Sequence, residues 1–319
     1  MRCRISIVIP TYNRAEMLRK CLNALGQQQF NPFEILVVDG GSVDQTEEVV
    51  NDFMKRTGLK VNYFRQDVGR SAARGLGVEH AMGEIVAFID DDCVASENWL
   101  KSIVKHFSNE TISGIEGMTI PVPKESSPFS HSIENTKGGK FCTCNMAYSK
   151  TILKKVEGFD ERFGHREDSD LAFSILENGG KIEFKEDVLV YHPQYKETWL
   201  KKLKKMKYFY FDPLLLKKHP KLYKKYIRFP FYRFTPLYLM CTLFGLVNPW
   251  LLLSVFLLEV IEYSHRKWRF NSLEFLYYFP LQIIGSLVIL IYVLKGCLKF
   301  KVNPLGFLIA HRAKLSKAM

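Results

Sequence analysis

The chain of 319 residues is 47% hydrophobic and carries 45 Lys and Arg against 33 Asp and Glu, a formal net charge of +12. Those figures exclude a disordered chain, a collagen and a disulfide-stapled mini-protein. The charge is divided unevenly, with 24 basic and 29 acidic side chains in residues 1–198 but 21 and 4 in residues 199–319, so two environments are expected.

Met1–Arg4 runs straight into a β-branched segment, so no secretory signal peptide is expected. The seven scattered cysteines fit a reducing compartment. Ile5–Ile9, Ile35–Val38, Val61–Phe64 and Ile85–Ile89 read as buried strands, and Ala15–Leu25, Gln45–Arg56 and Ser71–Ala81 as the helices between them, with Asn13 and Asp44 as N-caps. The alternation predicts an α/β domain with a largely parallel sheet, helices on both faces and ligands beyond the carboxyl ends of the strands.

The first two strands end in Ile9-Pro10-Thr11-Tyr12-Asn13-Arg14 and Val38-Asp39-Gly40-Gly41-Ser42-Val43-Asp44. The glycines permit close backbone approach, and Asp39 can accept hydrogen bonds from a base or ribose. The fourth strand ends in Asp90-Asp91-Asp92. Three adjacent carboxylates repel one another and call for a cation, and oxygen ligands at a strand end suit Mg²⁺ or Mn²⁺ with a substrate phosphate. Cys142-Thr143-Cys144 lacks the spacing of a zinc knuckle and reads as strand packing with both thiols on one face. Glu167-Asp168 opens a helical pattern, where the dipole favours ionised carboxylates. His192 follows a strand-like Val188–Tyr191.

In the second part, residues 199–233 hold 12 basic residues interleaved with aromatics and read as a basic amphipathic segment lying in a headgroup layer. Residues 234–258 and 275–294 are uncharged runs of 25 and 20 residues, which predict a transmembrane hairpin within 234–294, followed by a basic tail, 295–319. The basic flanks predict a multi-pass cell-membrane protein with the N-terminal α/β domain and both termini cytoplasmic. The adjoining apolar runs favour membrane lipids over nucleic acid as the partner of the basic residues.

Together, Ser6-Ile7-Val8-Ile9-Pro10-Thr11-Tyr12-Asn13, Val37-Val38-Asp39, Gly69 with Ala73-Arg74, the Asp90/Asp92 pair, Gly158-Phe159-Asp160-Glu161, Glu167-Asp168 and Tyr191-His192-Pro193 resemble a family 2 glycosyltransferase with the GT-A (Rossmann-like) fold. The resemblance covers residues 4–195 and implies a GT-A domain in 1–198 that takes a nucleotide-diphosphate sugar. It implies Pro10, Thr11, Tyr12, Asp39, Arg74, Asp91 and Glu167 as substrate-binding residues. Asp90 and Asp92, joined by His192, are implied as ligands of Mg²⁺ or Mn²⁺, and Asp168 as the general base. Relatives often carry an acidic residue where this chain has Gly40, so the base of the nucleotide stays open. The expected reaction is inverting transfer to a hydroxyl of a lipid-linked or surface glycan. A polyprenyl phosphate acceptor and a catalytically silent glycan-binding protein are the alternatives. Acceptor choice is assigned to the loops between Glu116 and Lys140.

Overall fold

The computed structural model describes residues 4–109, 111–123, 127–227, 257, 260 and 272–307. The chain divides into two units, Met1–Pro123 with Ser132–Pro193, and Lys124–His131 with Gln194–Met319.

The first unit opens with β1 (Ile5–Thr11), α1 (Ala15–Gly26), β2 (Phe33–Asp39), α2 (Thr46–Thr57), β3 (Val61–Arg65), α3 (Arg70–His80) and β4 (Ile85–Ile89). Strands β1, β2 and β4 are β-branched-rich runs that stay buried because helices cover both faces, while β3, at the edge of the sheet, is only half-buried. On one face Leu18, Leu22 and Leu25 of α1 and Val49, Val50 and Phe53 of α2 pack with Ile5, Ile7 and Ile9 of β1 and with Ile35 and Val37 of β2. On the other, α3 approaches so closely at Gly77 that a Cβ would lie 2.4 Å from a Val8 methyl. Asn13 is not a helix cap: its side chain accepts from Val43 N–H at 2.8 Å. Asp44 serves two helix starts, accepting from Ala15 N–H at 3.0 Å and from Thr46 N–H at 3.2 Å. Burial opposes its charge, but these bonds and that of the Thr46 hydroxyl hold its carboxyl below the ordinary value.

There follow β5 (Val94–Ala95), α4 (Trp99–Phe107), β6 (Gly114–Val122), β8 (Asn145–Ser149), α5 (Lys150–Lys155), α6 (Glu167–Glu177) and β9 (Ile182–Pro193). The sheet order is β3-β2-β1-β4-β8-β6-β9-β5. From β3 to β4 it is parallel, whereas β8 runs antiparallel to both β4 and β6, and β5 to β9. The largely parallel sheet expected from the first four strands is therefore a mixed one, because β8 returns between β4 and β6. Cys142 and Cys144 lie in the turn before β8, not on a strand.

The second unit holds β7 (Ser130–His131) paired with β10 (Tyr195–Lys196), then α7 (Trp199–Lys205), a 3-10 turn (Met206–Phe211), α8 (Asp212–Lys218), α9 (Pro220–Tyr226) and α10 (Ser272–Phe300). Buried Asp212 accepts from the Tyr223 hydroxyl at 2.9 Å. α10 meets the 3-10 turn at Gly296, where a Cβ would strike the Tyr210 carbonyl. The transmembrane hairpin is not found: among the described residues no helix is long and apolar enough to cross a membrane. The first expected span, 234–258, lies outside the described residues save Leu257. The second falls in α10, whose run includes Pro280, Gln282 and Ser286, and which turns Phe275, Tyr278, Leu281, Ile289 and Val293 into protein packing.

Candidate functional site

The carboxyl ends of β1, β2, β3 and β4 surround a cavity of about 470 Å³. Pro10, Thr11, Tyr12 and Arg14 line it from the end of β1, and Gly40 from the end of β2. Asp67, Val68, Gly69 and Arg70 come from the β3–α3 connection, and Asp90 and Asp91 from the end of β4. Tyr12 is 59% exposed, a flat ring offered to a ligand.

Asp39 is not on this surface. It is fully buried, with one carboxylate oxygen accepting from the Ser42 N–H and hydroxyl at 2.8 and 2.6 Å and the other from the Tyr63 hydroxyl. Burial first, and then this bond, push the Tyr63 phenol up. Asp39 thus shapes the turn that presents Gly40. The sequence reading missed Arg14, Asp67 and Arg70 as cavity residues, although the strand-end rule applied to β3 would have found the last two.

The three acidic residues after β4 have different partners. Asp90 accepts from Arg74 Nη2 at 2.7 Å. Burial opposes its charge, but Arg74 and Arg70 hold its carboxyl below the usual range. Asp91 accepts from the Thr11 hydroxyl at 2.8 Å and Arg14 Nη1 at 3.0 Å, yet its burial pushes it up to about 6. Asp92 accepts from the same Arg14 nitrogen at 3.1 Å and faces His192 Nε2 at 3.8 Å. Much of the cation that the triplet needs is therefore arginine.

A divalent ion fits one part of this cluster. Single donor atoms of Asp92, Cys93 and His192 lie within 4.8 Å of one another. His192 Nδ1 stands 2.7 Å from the Pro193 carbonyl oxygen, which fixes the proton on Nδ1 and turns Nε2 toward Asp92. Hydrogen bonding with Cys144, then burial, push the Cys93 thiol up, so it stays protonated and is a poor ligand for a hard ion. The residues that fit Mg²⁺ or Mn²⁺ are thus Asp92 and His192, while Asp90 is committed to Arg74.

Arg74 is 2% exposed and does not face the cavity as a substrate ligand would. Its second nitrogen, Nη1, donates to Glu167 at 2.8 Å, so one buried guanidinium joins the end of β4 to the start of α6. Glu167 is likewise buried in this bridge. Asp168 follows in the first turn of α6, after Arg166, whose φ of 76° places it in the left-handed region. The helix start was expected to favour the ionised form. Instead desolvation, then the Glu167 charge, push Asp168 up to about 6 despite the Ser169 N–H at 2.6 Å. At neutral pH this carboxylate is mostly ionised and near the value suited to accepting a proton.

The model of "Glycosyl transferase family 2" matches residues 6–166. Glycosyltransferase AglE of Haloferax volcanii is 29% identical over 202 residues, 59% of this chain and 66% of the relative. The poly(ribitol-phosphate) beta-N-acetylglucosaminyltransferase TarS of Staphylococcus aureus is 28% identical over 207 residues, 61% of this chain and 36% of the relative. The chain thus spans less than two thirds of the length of either. Among solved structures, mannosyltransferase PcManGT from Pyrobaculum calidifontis, in complex with GDP-Man and Mn²⁺, has a similar fold, with TM-score 0.59 at 17% identity over 94% of this chain and 88% of that one.

Proposed function

We propose that this chain, which belongs to glycosyl transferase family 2 and is a glycosyltransferase of GT-A fold, performs a metal-assisted inverting transfer from a nucleotide-diphosphate sugar to a hydroxyl of a glycan acceptor. The observation that carries the reading is the Arg74 bridge, which ties the acidic end of β4 to the helix start bearing Asp168.

The donor's nucleoside is assigned to the ring of Tyr12 and the Gly40 backbone, and its diphosphate to the side lined by Arg14 and Arg70. A Mg²⁺ or Mn²⁺ ion held by Asp92 and His192 would supply Lewis-acid stabilisation of the departing diphosphate. Asp168 takes the proton of the acceptor hydroxyl as that oxygen attacks the anomeric carbon from the side opposite the nucleotide. One displacement then inverts the configuration, and no covalent sugar intermediate forms. A carboxyl at about 6 is ionised at pH 7 yet more basic than an exposed aspartate, as this step requires.

The acceptor we favour is a lipid-linked or surface glycan on the cytoplasmic face of a membrane. The lysines of α7, α8 and α9 suit an anionic lipid surface. TarS, named for a poly(ribitol-phosphate) acceptor, supports a polymer hydroxyl.

Asp168→Asn tests the assignment. Transfer falls about 10²- to 10⁴-fold, the contribution of a positioned base, while donor affinity stays near wild type. A polyprenyl phosphate arrives already ionised, so near-wild-type transfer with intact donor binding would refute the base and favour that acceptor.

A further inference from the structure

Glu116, near the start of β6, is a 3%-exposed carboxylate. Among the described residues no arginine or lysine pairs with it in the manner of Asp90, and the groups that meet it are N–H donors. Oε2 accepts from Gly139 N–H at 2.6 Å, and Oε1 from Lys140 and Phe141 N–H at 2.8 and 2.6 Å. Asn135 Nδ2 adds a fourth donor at 2.9 Å. Three successive backbone N–H groups closing on one anion form a nest, here filled by the protein's own side chain. The backbone follows: Gly138, Gly139 and Phe141 have φ of 74°, 85° and 55°.

The nest ends at Phe141, which pays the cost of a left-handed conformation to reach its place. That place is against α6. The Phe141 ring meets Phe173 edge to face at 6.0 Å, and both rings are buried. Phe173 lies on the helix whose first turn carries Asp168. The next residue, Cys142, has a thiol pushed up by burial first and then by the Asp168 charge.

We propose that Glu116 is a positioning residue for Asp168, acting through the 138–141 nest and the Phe141–Phe173 contact. The proposal rests on the reading of Asp168 as the base. It gives a specific task to a loop that the sequence assigned only to acceptor choice. A carboxylate is required because four donors converge on it and an amide offers one oxygen; a glutamine would turn its own N–H₂ group toward a backbone N–H.

The test is a double-mutant cycle read on kcat and on the donor KM. Glu116→Gln lowers kcat about 10- to 100-fold, as a small misplacement of a reacting group does, and leaves the donor KM nearly unchanged. In the Asp168→Asn background the same substitution costs less than about twofold, because the group it positions is already disabled. Phe141→Leu, which leaves the nest in place and removes the ring contact, repeats the pattern if Glu116→Gln folds poorly. An equal loss in both backgrounds, or a KM that rises as kcat falls, would overturn the positioning role while leaving the base in place. Near-wild-type transfer by Asp168→Asn alone would remove the base, and this proposal with it.

Discussion

Two acidic clusters meet at Arg74, and they solve one electrostatic problem in opposite ways. At the end of β4 the carboxylates of Asp90, Asp91 and Asp92 gather two arginines and a histidine. At the start of α6, Glu167 takes the remaining nitrogen of Arg74, and Asp168 is left with burial and a like charge beside it. The guanidinium fixes Asp90 in its ionised form and fixes Glu167 in place, while the neighbouring Asp168 rises to about 6. A helix N-terminus alone would have lowered it. Desolvation outweighs the dipole here, so the cluster at β4 is arranged to hold charge and the one at α6 to exchange a proton.

Breaking the link should have the largest effect. Arg74→Leu leaves Asp90 and Glu167 buried without their shared cation, and such a loss typically destabilises by about 3–5 kcal/mol. Urea unfolding should show a lower midpoint, and an unchanged midpoint would mean that the two clusters do not depend on each other. A smaller effect separates them by chemistry. Asp92→Ala or His192→Ala should weaken Mn²⁺ binding measured by titration calorimetry and lower transfer about 10²- to 10³-fold, as the loss of a charge-stabilising group does. Asp168→Asn should leave Mn²⁺ binding alone. Full transfer in excess chelator would sink the metal at Asp92 and His192 and leave the base untouched.

The parallel half of the fold was legible because three of its four strands, β1, β2 and β4, are short β-branched-rich runs with a turn at the carboxyl end. The antiparallel half was not. β6 runs into the stretch between Glu116 and Lys140 that was assigned to loops, yet Gly117 in it marks a crossing so tight that a Cβ would lie 2.3 Å from Asn145 Nδ2. In β9 only the apolar end, Val188–Tyr191, gave a signal, because Glu183, Lys185, Glu186 and Asp187 mask the rest of the strand. At the site, the residue types at strand ends announced the acidic clusters. Their partners were hidden, since Arg74 meets Glu167 across 93 residues and Glu116 meets Phe141 across 25. Asp39 was misplaced for the same reason: only the fold brings Tyr63 to it and turns a ligand-facing carboxylate into part of a turn.

The division of labour between the clusters is tested most directly by the pH profile of kcat/KM, measured with saturating Mn²⁺ in wild type and in Asp168→Asn. A base must be ionised to act, so wild-type transfer should fall as pH drops through about 6 and level off above it. Asp91 is pushed up to about 6 as well, which makes the variant the deciding arm. The residual transfer of Asp168→Asn should lose the acid limb. A limb that persists unchanged in the variant would place the titrating group at the end of β4 and contradict the assignment of proton transfer to α6.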